Sequence, residues 1–270
     1  MTVSSIRTTR AVVMARGLGT RMRAGAGTAA LDPAQTAAAD AGLKAMMPFG
    51  RPFLDFVLHD LAEAGIREVA LVLGPEHDVV REYYRAVPKS RIVVSFVEQA
   101  QPLGTADAVW SARDWAGTSP FFVLNADNLY PVDVLTRLVT GTHPALPGFE
   151  RDSLGVSLER IGSFAVLETG LGGELSRIVE KPGVDAVRTA GPLAQISMNI
   201  WRFDRQIFEP CRVVPLSARG ERELPQAVGL AVDQGVRFEV VPVRGPVLDL
   251  SRREDVAAVA RALEGKAVTL

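Results

Sequence analysis

The sequence predicts an α/β fold built on a largely parallel sheet. Three observations carry that expectation. Short apolar runs alternate with helix-spaced apolar patterns through the first half of the chain. Several of those runs place apolar residues at successive positions, as strands covered on both faces do. The first run, Ala11 to Ala15, leads straight into a glycine-bearing loop, Arg16-Gly-Leu-Gly-Thr-Arg21. A loop at the carboxyl end of a strand is where open α/β sheets hold ligands.

The bulk properties bound the function. A chain of 270 residues suits one large α/β domain. At 47% apolar it can build a substantial core, yet no apolar run approaches the length that crosses a bilayer. Met1 to Arg10 is polar and basic, and the apolar run after it is too short for a signal-peptide core. A cytoplasmic protein with no membrane partner is therefore expected. A net charge of −1 provides no general basic field, so no nucleic-acid partner is expected. Cys211 is the single cysteine, which excludes an internal disulfide. With His59, His77 and His143 scattered, any metal is expected to be hard and held by carboxylate oxygens.

The elements follow in order. Gly17 and Gly19 can adopt angles that turn backbone amides toward an anion. Arg16, Arg21 and Arg23 add cationic, fork-shaped donors that suit phosphate. Met22 stands where a dinucleotide-binding loop needs its third glycine, and no Gly-Lys-Ser/Thr closes the turn as in a nucleoside triphosphatase. Ala24 to Gly42, rich in Ala, Gly and Thr, reads as a flap with one short helix over Pro33 to Ala41. Pro52 opens a helix in which Leu54, Val57, Leu58 and Leu61 recur at helical spacing before Gly65 ends it. Val69–Leu73 and Ile92–Val97 read as strands around a helix from Val79 to Tyr84, with right-handed crossovers. Gly104-Thr105 opens a helix that packs through Ala106, Ala108 and Val109. The strand beginning at Phe121 ends in the carboxylate of Asp127, and Pro131 starts a helix to Val139.

In the second half, Leu154–Leu158, Phe164–Leu167 and Leu175–Val179 read as short strands. Thr169 to Gly173 joins the last two as a hairpin. A strand over Gln195 to Phe203, a helix from Pro225 to Gln234 and a strand from Phe238 to Val243 follow. Ser251 and Glu254 have the spacing of a capping box for a final helix through Leu263.

Five segments in this order resemble the signatures of the sugar-1-phosphate nucleotidyltransferases, also called nucleotide-sugar pyrophosphorylases. The likeness is to the glucose-1-phosphate thymidylyltransferase and uridylyltransferase type. Gly17 to Arg21 resembles L-A-A-G-x-G-T-R, and Leu43 to Phe49 resembles P-K-x-L-L-P-V. Gln99 to Val109 resembles Q-x-x-x-x-G-T-A-x-A-V, Asn125 to Asp127 the family's G-D segment, and Val179 to Pro182 the family's V-E-K-P. Arg219 to Leu224 is similar to its G-E-x-E-L segment. Arg16, Leu43, Ala126, Ala165, Asn199 and the residues around Asp249 depart from the pattern.

The resemblance implies a Rossmann-like three-layer αβα sandwich with a mostly parallel mixed sheet, like glycosyltransferase A folds. It implies one nucleotidyltransferase domain over 1–270, with a nucleotide-binding half (1–140) and a sugar-phosphate-binding half (141–270). No C-terminal hexapeptide-repeat domain is expected. The nucleotide would be held by Gly17, Leu18, Gly19, Thr20, Arg21, Lys44, Gln99, Gly104 and Thr105. Gln99, with Gln101 as competitor, would read the base and favour a pyrimidine, dTTP or UTP. Ala165, Glu180, Lys181 and Asn199 would bind the sugar phosphate. Asp127 and Asp249 would hold Mg²⁺, and Arg21, Lys181 and Asp127 would be catalytic.

The implied reaction joins a nucleoside triphosphate and a sugar 1-phosphate into a nucleotide-sugar and pyrophosphate. Cytidylyl transfer to a phospho-alcohol such as phosphocholine is one alternative, and a non-catalytic, nucleotide-sugar-sensing relative is another. A glycosyltransferase would normally carry an Asp-x-Asp motif, which is absent. Assembly as a homo-oligomer is left open.

Overall fold

A computed structural model describes residues 6–17, 19–24 and 31–270. Leu18 of the expected nucleotide loop and residues 25–30 of the expected flap lie outside the described residues. The main sheet has ten strands. In chain order they are β1 (Arg10–Met14), β2 (Glu68–Leu73), β3 (Val93–Glu98), β4 (Phe121–Asn125), β5 (Ala145–Glu150), β6 (Ala165–Thr169), β7 (Leu175–Glu180), β8 (Gln195–Ser197), β9 (Ile200–Phe203) and β10 (Glu239–Val243).

The first four strands form the parallel half, with β1 between β2 and β4 and with β3 outside β2. Beyond β4 the sheet becomes mixed. β9 pairs antiparallel with β4, and β8 pairs antiparallel with both β5 and β6. The β6–β7 hairpin is antiparallel, whereas β10 lies parallel to β5.

Alternation along the strands explains why helices cover both faces. Val12, Ala70, Val72 and Val123 face one side, against helices Thr105–Ser111, Phe208–Val213 and Leu224–Asp233. Val13, Leu71, Phe122 and Leu124 face the other, against helices Phe53–Ala64 and Val132–Val139. Both sets are buried, so the sheet is the middle of three layers. Each large apolar side chain sealed this way contributes roughly 1.5–3 kcal/mol.

The helix expected in the flap forms over Pro33–Ala41, with a reciprocal cap between Asp32 and Gln35. Gly65 closes the helix after Ala64 in the left-handed region, at φ 102°.

Three expectations are corrected. Leu154–Leu158 is not a strand: a short 3-10 turn covers Arg151–Leu154, and a helix covers Leu158–Ile161 with Ser157 as its cap. The strand of this region is β5, whose Pro147 and Gly148 hide it from a pattern reading. Gly148 is needed because a Cβ there would stand 2.4 Å from Gln195 Oε1 and 2.8 Å from Val240 Cγ1. The run from Gln195 to Phe203 is broken into β8 and β9 by Asn199, at φ 59°. Finally, Ser251 and Glu254 make no capping box, because Glu254 is itself helical at the N-cap of helix Asp255–Leu263. Asp255 instead accepts the amides of Ser251 and Arg252 at 3.0 and 2.7 Å. Among the described residues, no helix is long and apolar enough to cross a membrane.

Candidate active site

A cleft with two lobes opens beside the carboxyl ends of β1 and β4. One lobe, of about 260 Å³, is polar and includes Arg21, Asp127, Glu180, Lys181, Asn199 and Asp249. The other, of about 230 Å³, is walled by Ala15, Gly17, Leu43, Met46, His77 and Val80. Met14, Lys44, Thr105, Asn125 and Asp127 border both lobes, so the two cavities meet at Asp127 and Lys44.

The glycine loop is shaped by a close backbone approach. Gly19 has φ 59°, and a Cβ there would lie 2.6 Å from the Gly42 carbonyl oxygen. The short helix Thr20–Ala24 buries Met22 and leaves Arg21 exposed in the polar lobe. Gly19 and Thr20 line neither lobe.

The other two arginines read as phosphate donors are committed to the protein. Arg16 donates to both oxygens of Glu76 at 3.2 and 3.4 Å, and to the Gln99 carbonyl. Arg23 donates to the Ala41 carbonyl at 2.6 Å. Neither is free to meet a triphosphate as its residue type alone suggests.

The structure does not bring Gln99 or Gly104 to the cleft lining. Gln99 is 3% exposed, and its amide donates to the Gly104 carbonyl at 3.0 Å and to Asp107 at 2.8 Å. Gly104 has φ 106°, and a Cβ there would stand 2.4 Å from the Arg222 carbonyl oxygen. Its glycine is required by a crossing chain. Thr105 does border both lobes and accepts the Leu224 amide at 2.8 Å.

The two acids expected to share a metal converge. Leu248–Asp249 pairs antiparallel with Asn128–Leu129, setting Asp249 opposite Asn128. The Leu250 amide donates to the Asp127 carbonyl oxygen at 2.9 Å. Burial, and then the nearby Asp127 charge, push the Asp249 carboxyl above the usual carboxylate range. Burial and the same two acids raise the Tyr130 hydroxyl well above its ordinary value, and that hydroxyl donates to the Met198 carbonyl at 2.6 Å.

Each acid also has a cation. Lys44 is ion-paired with Asp127, and Arg160 donates to Asp249 at 2.8 Å. Ser251 donates to the other Asp249 oxygen at 2.5 Å. Among the described residues no group of three or more His, Cys, Asp or Glu side chains could hold a metal ion. Two converging carboxylates still suit a hard cation that takes its remaining ligands from phosphate and water.

Ala165, Glu180, Lys181 and Asn199 all border the polar lobe. Burial raises the Glu180 carboxyl; Lys181 opposes that shift, and Glu223 adds to it. Lys181 and Asn199 are the two non-glycine residues with positive φ among the described residues, at 45° and 59°. Such backbone costs of order 1–3 kcal/mol each and gathers at functional sites. Pairing of the Lys181 amide with the Phe164 carbonyl, at 2.9 Å, holds the first of these turns.

The sequence reading missed His77 and Glu223 as parts of this cleft, and Arg160 as the partner of its Asp249. Arg160 lies 89 positions from Asp249, and no local spacing announces the pair. Glu223 lies in the segment similar to G-E-x-E-L, which was a usable signal.

The family model described as Nucleotidyl transferase matches residues 37–245, beginning after the glycine loop. The low-salt glycan biosynthesis nucleotidyltransferase Agl11 of Haloferax volcanii is 25% identical over 80% of this chain and 58% of its own length. A glucose-1-phosphate thymidylyltransferase of Streptomyces griseus is 28% identical over 93% of this chain and 65% of its own length. The chain thus spans less than two thirds of either relative. A solved UDP-glucose pyrophosphorylase, complexed with UDP-glucose, shares the fold with a TM-score of 0.75 at 19% identity, covering 96% of this chain and 100% of that one. With the family model matched over most of its length, the chain belongs to the nucleotidyl transferase family.

Proposed function

We propose that this chain transfers a nucleotidyl group from a nucleoside triphosphate to a sugar 1-phosphate, releasing pyrophosphate. The observation that carries this reading is the convergence of Asp127 and Asp249 where an apolar lobe meets a polar one. An apolar lobe suits a nucleobase, and a polar lobe with Glu180 and Asn199 suits a hydroxylated sugar. Phosphates would then lie between them, beside Arg21, Lys44 and Lys181.

In such a transfer, an oxygen of the sugar phosphate attacks the α-phosphorus while the bond to the leaving pyrophosphate breaks. Two anions must approach each other, so alignment and charge neutralisation supply most of the catalysis. Lys181 would position the attacking phosphate, and Arg21 would take up the charge gathering on pyrophosphate. Lys44 would meet the triphosphate while balancing Asp127. Asp127 and Asp249 would hold Mg²⁺, which when bound neutralises and polarises phosphoryl oxygens. No covalent nucleophile is needed.

The thymidylyltransferase relative sets the first combination to test, dTTP with glucose 1-phosphate, and the pyrimidine preference that the resemblance implies adds UTP beside it. The assay is Mg²⁺-dependent pyrophosphate release across a panel of triphosphates and sugar phosphates. Release with at least one pair is expected. No release with any pair overturns the proposal.

A further inference from the structure

The apolar lobe lacks the amide that the resemblance assigns to base reading, since Gln99 is spent on Gly104 and Asp107. It has an imidazole instead. His77 stands in the turn after β2, lines this lobe, and keeps its side chain only 8% exposed. Its Nδ1 is shut off from solvent and makes no hydrogen bond among the described residues. Glu76 Oε1 stands 3.4 Å away without the alignment of a bond. Glu76 is gripped in turn by the buried Arg16. With Nδ1 enclosed by protein, a buried imidazole lining a ligand-sized cavity has Nε2 left for a ligand.

We propose that His77 is a specificity-determining residue for the nucleobase: its Nδ1 keeps the proton toward Glu76, and its Nε2 accepts an N–H from the edge of a base seated in the apolar lobe. The proposal rests on the nucleotidyl-transfer reading. Three features support it. Nδ1 is the sheltered nitrogen, which leaves Nε2 as the one able to meet a ligand. Leu43, Met46, Val80 and Ala126 give the lobe apolar walls that suit a flat ring. The lobe opens at Lys44 and Asp127 toward the polar lobe, so a base here has its phosphates directed to the cations. Arg16 holds the Glu76 carboxylate beside that sheltered nitrogen. The chemistry selected is the ring imide N–H of uracil or thymine, the bases of the triphosphates tested first.

The test is equilibrium binding of the four common nucleoside triphosphates to wild type, His77→Leu and His77→Gln, alongside pyrophosphate release. Wild type is expected to prefer one base. His77→Leu, which loses the acceptor, should raise KM for that triphosphate about tenfold, leave kcat within about threefold and flatten the preference. His77→Gln, which keeps an acceptor oxygen, should retain most of it. A folded His77→Leu variant with the wild-type ratio of affinities overturns the proposal, as does a wild type indifferent to the base.

If His77→Leu does not fold, wild type alone decides. The preferred triphosphate methylated at its edge N–H should then bind about tenfold more weakly than its parent. Equal binding overturns the proposal and leaves nucleotidyl transfer standing. A wild type that binds no triphosphate at all removes the function reading as well.

Discussion

Arg160 donates to Asp249 at 2.8 Å, and the same nitrogen reaches Asp255 at 3.1 Å. Lys44 does the equivalent for Asp127. Two acids brought together by a strand pair are thus held by cations from two other elements. This arrangement limits the repulsion between them without removing either from the cleft.

The acid pair gives the first prediction. Asp127→Asn and Asp249→Asn should each lower turnover by roughly 10²–10³. Each should also weaken Mn²⁺ binding, measured by titration of the free protein. Melting temperatures should stay close to wild type, because asparagine keeps the shape and most hydrogen-bonding capacity. A variant that binds the ion as tightly as its parent argues against shared coordination.

Arg21 is exposed on a five-residue helix, and among the described residues its guanidinium makes no hydrogen bond or ion pair. Arg21→Ala should therefore cut turnover by about 10²–10⁴ with an unchanged melting curve. Single-turnover pyrophosphate release is the measurement. Normal turnover would remove Arg21 from the reaction.

Gly104→Ala tests a structural glycine. The added methyl would sit 2.4 Å from the Arg222 carbonyl oxygen on a backbone at φ 106°. A loss of about 1–3 kcal/mol is expected from denaturant titration. A neutral result would mean that Arg222 is free to retreat.

Burial holds the His77 imidazole below its ordinary value; Glu76 opposes that shift, and Arg16 and Arg81 reinforce it. The unfolded chain therefore binds this proton first on acidification. The stabilisation is present above about pH 6.5 and is lost as pH falls toward the folded value. Between about pH 7.5 and about pH 5.5, wild type should lose more melting temperature than His77→Gln. Equal losses would assign the acid sensitivity to other groups.

Sequence alone determined the parallel half of this protein. Strands β1, β2 and β4 are buried on both faces, so they must carry unbroken apolar runs, and such runs are visible without coordinates. The position of Asp127 just past β4 was legible for the same reason, as was the helix after Gly104. Tertiary structure decided β5, because Pro147 and Gly148 erase its pattern and only the crossing of Gln195 and Val240 explains the glycine. It also decided how side chains of fixed type are used. Arg16 and Gln99 look like ligand-binding groups in the chain, yet each is consumed by partners from elsewhere in the sequence, while His77 is drawn into the cleft and Arg160 pairs with one of its acids. Local periodicity records burial, which each residue feels individually; hydrogen-bond partnership depends on what the fold places opposite, and no spacing records that.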